Sequence, residues 1–213
     1  MKIKFEHADK SVSTVLSELA KTIKPEGVSL KDLLESLGER GLLLFSMILT
    51  VPFLLGVSIP GAGVPFGIVI ALIGVGITTN KAPWLPERLM NRRISAENLI
   101  LTLERGAKLF ARLERLTHPR LLLLTHGMTM ARLNGMLIII GAILLIYPLP
   151  LPFTNAPPSY GILFLTLGSM ERDGYLVIAG YLTLLLTTVT FALITILGVD
   201  GVKALLPFLS RHI

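Results

Sequence analysis

The sequence contains no cysteine, and charged residues make up only 16% of it. The absence of cysteine excludes a disulfide framework and thiol chemistry. Hydrophobic residues amount to 52% of the 213 residues, and the mean hydropathy is +0.72. Because these apolar residues are clustered in long runs, the composition is typical of an integral membrane protein with one membrane domain and polar flanks.

Several kinds of functional site are also missing. His118 and His126 have no second ligand at metal-binding spacing, so we expect no metal and no cofactor. The net charge is +6, but no basic motif is interleaved with aromatic residues, which argues against nucleic-acid binding. A membrane enzyme would need a general acid–base pair, and the apolar half offers only Glu171 and Asp173. We therefore expect a protein that is not an enzyme.

Two apolar stretches are each interrupted by a short run rich in proline or glycine, which we call a break. Residues 41–57 and 66–77 are apolar and are separated by the first break at residues 58–65. Between the apolar residues 136–146 and 161–170, five prolines at positions 148 to 158 exclude a continuous helix, and the second break is residues 152–159. Irregular backbone at membrane depth must pack inside protein or face a wet cavity, so the breaks are the expected place for a site.

The two interrupted units align at a constant offset of 94 residues. The offset places Gly41 on Gly135, Gly67 on Gly161, Ile68 on Ile162 and Gly74 on Gly168. It predicts an internal duplication of a helix–break–helix hairpin, a pattern typical of transporter binding sites. Each apolar piece is shorter than the roughly 20 residues that a spanning helix needs, so the hairpins are either short crossings or re-entrant.

The remaining segments predict amphipathic helices and one full-length spanning helix. The predicted segments are 1–40 (amphipathic helices, the second ending at Gly38), 41–80 (first broken unit), 81–134 (basic connection), 135–174 (second broken unit) and 175–213 (transmembrane helix and tail). The positive-inside tendency places the basic connection in the cytoplasm. Its interfacial helix carries Arg105, Lys108, Arg112 and Arg115, which are expected to contact anionic lipid headgroups; a solvated helix surface is the alternative.

Charged and polar residues beside the breaks are the candidate site residues, because burying a charge in a membrane is costly unless it acts or pairs. The predicted substrate- or ion-binding set is Arg40, Pro60, Pro65, Pro152, Asn155, Pro158, Glu171, Arg172 and Asp173. Arg172 or Asp173 is expected to face the cavity formed by the breaks; the alternative is a cytoplasmic turn with a local ion pair. Helix N-termini after the breaks favour an anion and C-termini before them a cation, which leaves the sign of the substrate open.

Three pieces of the sequence resemble the ExoD family of bacterial membrane proteins, which is named for exopolysaccharide synthesis. They are residues 56–65, Pro83-Trp84-Leu85-Pro86 before Arg88, and residues 150–158 followed by Gly168 and Glu171-Arg172-Asp173-Gly174. The resemblance covers about residues 30–197 and implies a bacterial inner-membrane location and a link to exopolysaccharide production and alkaline tolerance. It implies no reaction. A glutamine expected after the first break is absent from residues 66–79, which weakens a polar site in the first half.

The sequence thus predicts an all-α integral membrane protein with two repeated broken-helix hairpins, one full transmembrane helix and amphipathic interfacial helices. A multi-pass inner-membrane transporter or ion exchanger explains the repeat, the paired breaks and the flanking charges together. A chain of 213 residues is short for that task, so a homodimer is expected to complete the path of an undetermined ion or solute. The alternative is a non-transporting membrane component that supports or regulates envelope exopolysaccharide synthesis.

Overall fold

The computed structural model describes residues 12–22, 28–54, 63–81, 93–94, 117–147 and 154–209, with single positions between 83 and 111. Its helices are α1 Val12–Thr22, α2 Leu30–Leu54, α3 Gly63–Thr79, α4 Met128–Ile146, α5 Ala156–Glu171 and α6 Gly174–Leu209. A 3₁₀ turn at Leu122–Leu124 precedes α4. Two-residue strands, β1 Val28–Ser29 and β2 Arg93–Ile94, pair antiparallel. Apart from this pair, the described chain is all-α, as its composition predicts.

The N-terminal helices follow the predicted apolar pattern. Helix α1 buries Leu16 and Ala20 on one face. Gly38 interrupts α2 with φ 58° and ψ −136°, a backbone conformation that glycine adopts without steric cost. The predicted helix stop at Gly38 is therefore confirmed, and the first apolar stretch continues from there to Leu54.

Helices α3 and α4 lie antiparallel and close together, because small residues face the partner helix near both ends. A Cβ atom on Gly63 would lie 2.5 Å from the carbonyl oxygen of Leu145. At the other end, a Cβ atom on Gly135 would lie 2.6 Å from the hydroxyl of Thr78. Small residues at such contacts are what allow membrane helices to approach closely. The start of α3 therefore lies beside the end of α4, and the two helices cover the same depth.

Helices α5 and α6 form a second antiparallel pair. A Cβ atom on Gly161 would lie 2.5 Å from a methyl group of Leu184, and one on Gly168 would lie 2.8 Å from the backbone nitrogen of Val177. The end of α5 is therefore beside the start of α6.

The helices assemble into one bundle, in which α2 packs along α5, and α4 contacts α3, α5 and α6. The fully buried side chains are mainly aliphatic: Ile70, Ile73, Ile77, Ile138, Ala142, Leu145, Ile162, Leu165 and Val177. The starts of α4 and α6 and the ends of α3 and α5 lie at one end, which we call the connector end. The ends of α2 and α4 and the starts of α3 and α5 lie at the opposite end, which we call the break end.

Two helices in the described part of the chain are long and apolar enough to cross a membrane, Met128–Ile146 and Gly174–Gly198. Only 33% and 28% of their most apolar windows is buried inside the protein, so most of this apolar surface faces outward. The sequence predicts only the second as a full-length span. The sequence predicts a boundary between residues 134 and 135, but α4 already begins at Met128. The prediction differs because Arg132 and Asn134 lie in the first turns of α4 and make that part of the sequence look polar.

The glycines matched by the 94-residue offset have different neighbours. Gly67 faces Ala142 and Ile146 of α4, whereas Gly161 faces Leu184 of α6. The internal duplication and the re-entrant path of the hairpins stay predictions.

Candidate functional site

The turn between α5 and α6 is built by the Glu171-Arg172-Asp173-Gly174 motif. Arg172 ends α5 in the left-handed conformation, with φ 55°. The backbone N–H of Asp173 then donates to the carbonyl of Gly168 at 2.9 Å, which satisfies a carbonyl that the ending helix leaves free. Glu171 is half-buried at the same end of α5.

The carboxylate of Asp173 holds two backbone segments together. It is 7% exposed. Its Oδ1 accepts from the N–H of Tyr175 at 3.0 Å, which caps the start of α6, and its Oδ2 accepts from the N–H of His118 at 3.3 Å. Both oxygens are thus engaged by the protein itself.

Residues 117–121, which include the His118 N–H that donates to this carboxylate, run parallel to the turn between α5 and α6. We call this segment the connector strand. Arg120 donates its N–H to the carbonyl of Arg172 at 3.3 Å and accepts from the N–H of Gly174 at 2.8 Å. A Cβ atom on Gly174 would lie 2.7 Å from the carbonyl oxygen of Leu121, so glycine is required for this close approach. The turn motif therefore anchors the end of the basic connection onto α6.

Arg172 and Asp173, one of which is predicted to face the cavity made by the breaks, directly follow the last turn of α5. Both lie at the connector end, together with Glu171 and with Arg40 at the start of the apolar part of α2. Asn155 lies at the other end of α5, a helix of 16 residues that spans about 24 Å. The described members of the predicted set therefore form two groups at opposite ends of the bundle.

At the break end, the starts of the two helices that follow the breaks meet. A Cβ atom on Gly63 would lie 3.3 Å from Nδ2 of Asn155, so this amide sits directly beside the first residue of α3. Pro65 is exposed and Pro158 is buried in the first turns of α3 and α5. Pro60 and Pro152 lie outside the described residues.

The first turn of α5 is a poor anion site, contrary to one of the alternatives the sequence left open. Pro157 and Pro158 have no N–H, and the N–H of Ser159 donates to the carbonyl of Asn155 at 3.3 Å. The hydroxyl of Ser159 donates to the same carbonyl at 2.7 Å. Pro65 removes a further donor from the start of α3. Proline thus depletes the free amide groups that an anion would use.

A buried polar cluster that sequence reasoning missed joins three helices near the connector end. Asn134, 3% exposed, accepts from the hydroxyl of Tyr181 at 2.7 Å. Its amide nitrogen lies 3.2 Å from the hydroxyl of Ser169 and 3.3 Å from the carbonyl oxygen of Leu124, donating to both. The signal in the sequence that could have revealed this cluster is an asparagine placed directly before an aliphatic run. Such bonds join helices in an apolar medium.

Glu39 is a second residue that the sequence analysis did not single out, although it precedes Arg40 of the predicted set. It follows the interruption at Gly38 and comes before the apolar stretch that starts at Gly41. Desolvation by burial raises its pKa from 4.5 to about 7, an effect that the charge of Arg40 partly opposes. The folded protein therefore keeps Glu39 protonated at pH values below about 7.

This pKa predicts a specific pH dependence of stability. Between pH 4.5 and about 7 the folded state binds more protons at Glu39 than the unfolded state, so the free energy of unfolding should fall as pH rises through this window. The fall should be roughly 3 kcal/mol, and it should be absent in Glu39→Gln. Thermal unfolding in detergent at pH 4.5, 5.5, 6.5 and 7.5 measures it. Equal slopes in the two proteins would contradict this origin.

Exposed tyrosines mark both ends of the bundle. Tyr175 is 58% exposed at the start of α6, and Tyr147 and Tyr160 are exposed toward the break end. The hydroxyl of Tyr147 lies 3.1 Å from that of Thr195, which places the end of α4 beside the last turns of the apolar part of α6. Tyrosine at both ends of apolar helices is typical of the two membrane–water interfaces.

The predicted lipid-contacting helix is only partly described. Lys108 is exposed next to the buried Ala107, whereas Arg105, Arg112 and Arg115 lie outside the described residues. Within the described part of the chain, no group of three or more His, Cys, Asp or Glu side chains could hold a metal ion.

Comparison with known proteins gives a consistent match. Residues 12–193 match the family model described as "Exopolysaccharide synthesis, ExoD". Protein ExoD of Rhizobium meliloti (strain 1021) is 43% identical over 195 residues, which cover 91% of this chain and 81% of that protein. An uncharacterized protein of Synechocystis is 29% identical over 135 residues, which cover 63% of each. No solved structure gives a significant match.

Proposed function

We propose a role for this chain that starts from its family: the chain belongs to the ExoD family. The proposed role is that of a non-catalytic, non-transporting membrane component of exopolysaccharide synthesis. The observation that carries this proposal is the engagement of Asp173. This buried carboxylate accepts backbone hydrogen bonds from His118 and Tyr175, so it anchors the connector strand instead of facing a cavity. The predicted charged site thus serves the architecture of the connector end.

The proposed membrane placement follows from the helix ends. Tyr175 and Thr195 are separated by about 30 Å along α6, which is the thickness of the hydrocarbon layer. Helices α3 and α4 have matched ends, so if α4 crosses the bilayer, α3 crosses it as well. With the basic connection in the cytoplasm, the protein is a multi-pass inner-membrane protein.

Transport or ion exchange is the second candidate, and the contact between Gly63 and Asn155 favours it, because this contact brings together one residue from each break. Residues 41–80, 133–170 and 174–199 contain no charged side chain. With the helix starts depleted of donors by proline, backbone carbonyls and Asn155 would suit a small cation or a neutral polar solute better than an anion. A homodimer would complete such a path.

One pair of assays with matched variants separates the two candidates. A bacterium deleted for this protein should lose exopolysaccharide, and both the wild-type chain and Asn155→Ala should restore it to the normal level. Purified protein in liposomes should dissipate an imposed pH gradient no faster than empty liposomes, with sodium, potassium or chloride supplied in turn. Thr154→Ala, a substitution at the residue next to Asn155, is the matched control for Asn155→Ala.

Two results would overturn the non-transporting role. Collapse of the gradient by the wild type with one ion, lost in Asn155→Ala but kept in Thr154→Ala, would establish transport at the breaks. A normal amount of exopolysaccharide in the deletion strain would remove the link to its synthesis altogether.

A further inference from the structure

Three leucines are held on the outside of the connector end in a segment that we call the leucine turn, Leu121–Leu123. Leu121, Leu122 and Leu123 are 47%, 48% and 79% exposed. The next residue, Leu124, packs against the core. This contact holds the leucine turn with its three leucines directed outward. Three consecutive exposed leucines are unfavourable in water and need an apolar environment.

The backbone fixes the leucine turn in this orientation from both sides. Before it, Arg120 bridges to Arg172 and Gly174. After it, the carbonyl of Leu124 accepts from the amide of Asn134. Leu121 itself has φ 48°, the left-handed region that is strained for a leucine. Such strain persists only where the surrounding structure enforces it, so the outward position of the leucines is built into the fold.

The leucine turn lies where the membrane boundary is expected. It immediately precedes α4, and Leu121 touches Gly174, the first residue of α6. The two described helices that are long and apolar enough to span a membrane therefore begin beside it. Tyr175, with its exposed ring, lies at the same level.

Positive charge accompanies the leucines. Arg120 precedes the turn and Arg132 follows it in α4, and both are exposed. The Arg120 guanidinium lies 5.9 Å from the centre of the Tyr175 ring. An exposed arginine beside an interfacial tyrosine matches the chemistry of a phospholipid phosphate, and the leucines match its acyl chains.

We propose that the leucine turn is a membrane anchor that inserts into the boundary between headgroups and acyl chains on the connector side, while Arg120 and Arg132 bind the phosphates of anionic phospholipids. This surface is separate from the interfacial helix of the basic connection. It rests on the membrane placement proposed above but not on the role in exopolysaccharide synthesis. Its occupant is lipid, and a partner protein is the alternative that the test must detect.

Tryptophan fluorescence in liposomes tests the anchor with the full chain. The single tryptophan, Trp84, is replaced by phenylalanine, and a new one is introduced as Leu123→Trp. Leu186→Trp, at an exposed position midway along α6, is the matched reference. Lipids brominated near the headgroup should quench the fluorescence of Leu123→Trp most strongly. Lipids brominated deep in the acyl chains should quench the fluorescence of Leu186→Trp most strongly.

The lipid preference is measured on the same protein. In mixed bilayers, brominated phosphatidylglycerol should quench Leu123→Trp more than brominated phosphatidylcholine, with roughly five-fold local enrichment per arginine. Arg120→Gln combined with Arg132→Gln should abolish the difference and leave the depth unchanged.

The remaining outcomes contradict the proposal in distinguishable ways. If Leu186→Trp is quenched by bromolipids and Leu123→Trp only by aqueous iodide, the turn is in water and the anchor is wrong while the membrane placement stands. If Leu123→Trp is protected from both quenchers, a protein partner or a second copy covers the leucines. If neither tryptophan is quenched by bromolipids, the membrane placement fails as well.

Discussion

Asp173→Ala should destabilise the folded protein by about 2–4 kcal/mol, because it removes the N-cap of α6 and leaves the partly buried N–H of His118 without its acceptor. The loss should appear as a lower thermal unfolding temperature in detergent and as poorer recovery of monodisperse protein. The effect is structural, so it should be the same with or without any added ion.

Asp173→Asn is the matched control. The asparagine oxygen can still cap the N–H of Tyr175, but its NH₂ group cannot accept from His118. About half of the loss should therefore remain. An Asp173→Ala protein as stable as the wild type would contradict the anchoring role and would return this carboxylate to the list of possible ion ligands.

Asn134→Leu should cost about 2–3 kcal/mol, because three hydrogen bonds are lost at once and the hydroxyls of Tyr181 and Ser169 are left in an apolar environment. Tyr181→Phe removes one of these bonds and should cost about 1 kcal/mol. Unfolding by denaturant in detergent measures both, and the double variant shows whether the two side chains act through the same bond.

Thr183→Val is the control for the cluster. Thr183 lies in α6, two residues after Tyr181. Its hydroxyl donates only within α6, to the carbonyl of Ala179 at 2.7 Å. Its loss should therefore change the free energy of unfolding by less than about 0.5 kcal/mol. Equal losses in Thr183→Val and Tyr181→Phe would mean that the cluster does not join helices in a way that matters for stability.

Several elements could be read from local sequence because their cause is local. Gly38 ends a helix because the residue can take a positive φ, and the aliphatic run from Tyr175 onward is long enough to predict a spanning helix. The breaks were predictable for the same reason, since proline acts on the adjacent backbone.

Helix α4 shows where local reading failed. Arg132 and Asn134 make its start look like part of the basic connection. In the fold Arg132 is exposed at the connector end and Asn134 is buried against Ser169 and Tyr181, so both residues are compatible with a helix that begins at Met128. Composition in a window does not reveal a polar side chain that is satisfied by distant partners.

The sequence by itself determined the helical class, the helix stop at Gly38, the long apolar helix that begins beside Tyr175 and the motifs of the family, because these depend on apolar composition and on backbone chemistry within a few residues. Only the tertiary structure decided that Asp173 accepts a hydrogen bond from His118 at one end of the bundle, and that Asn155 meets Gly63 at the other end. These partners are far apart in the chain. Their contact depends on how the helices pack, which a reading of local sequence does not show.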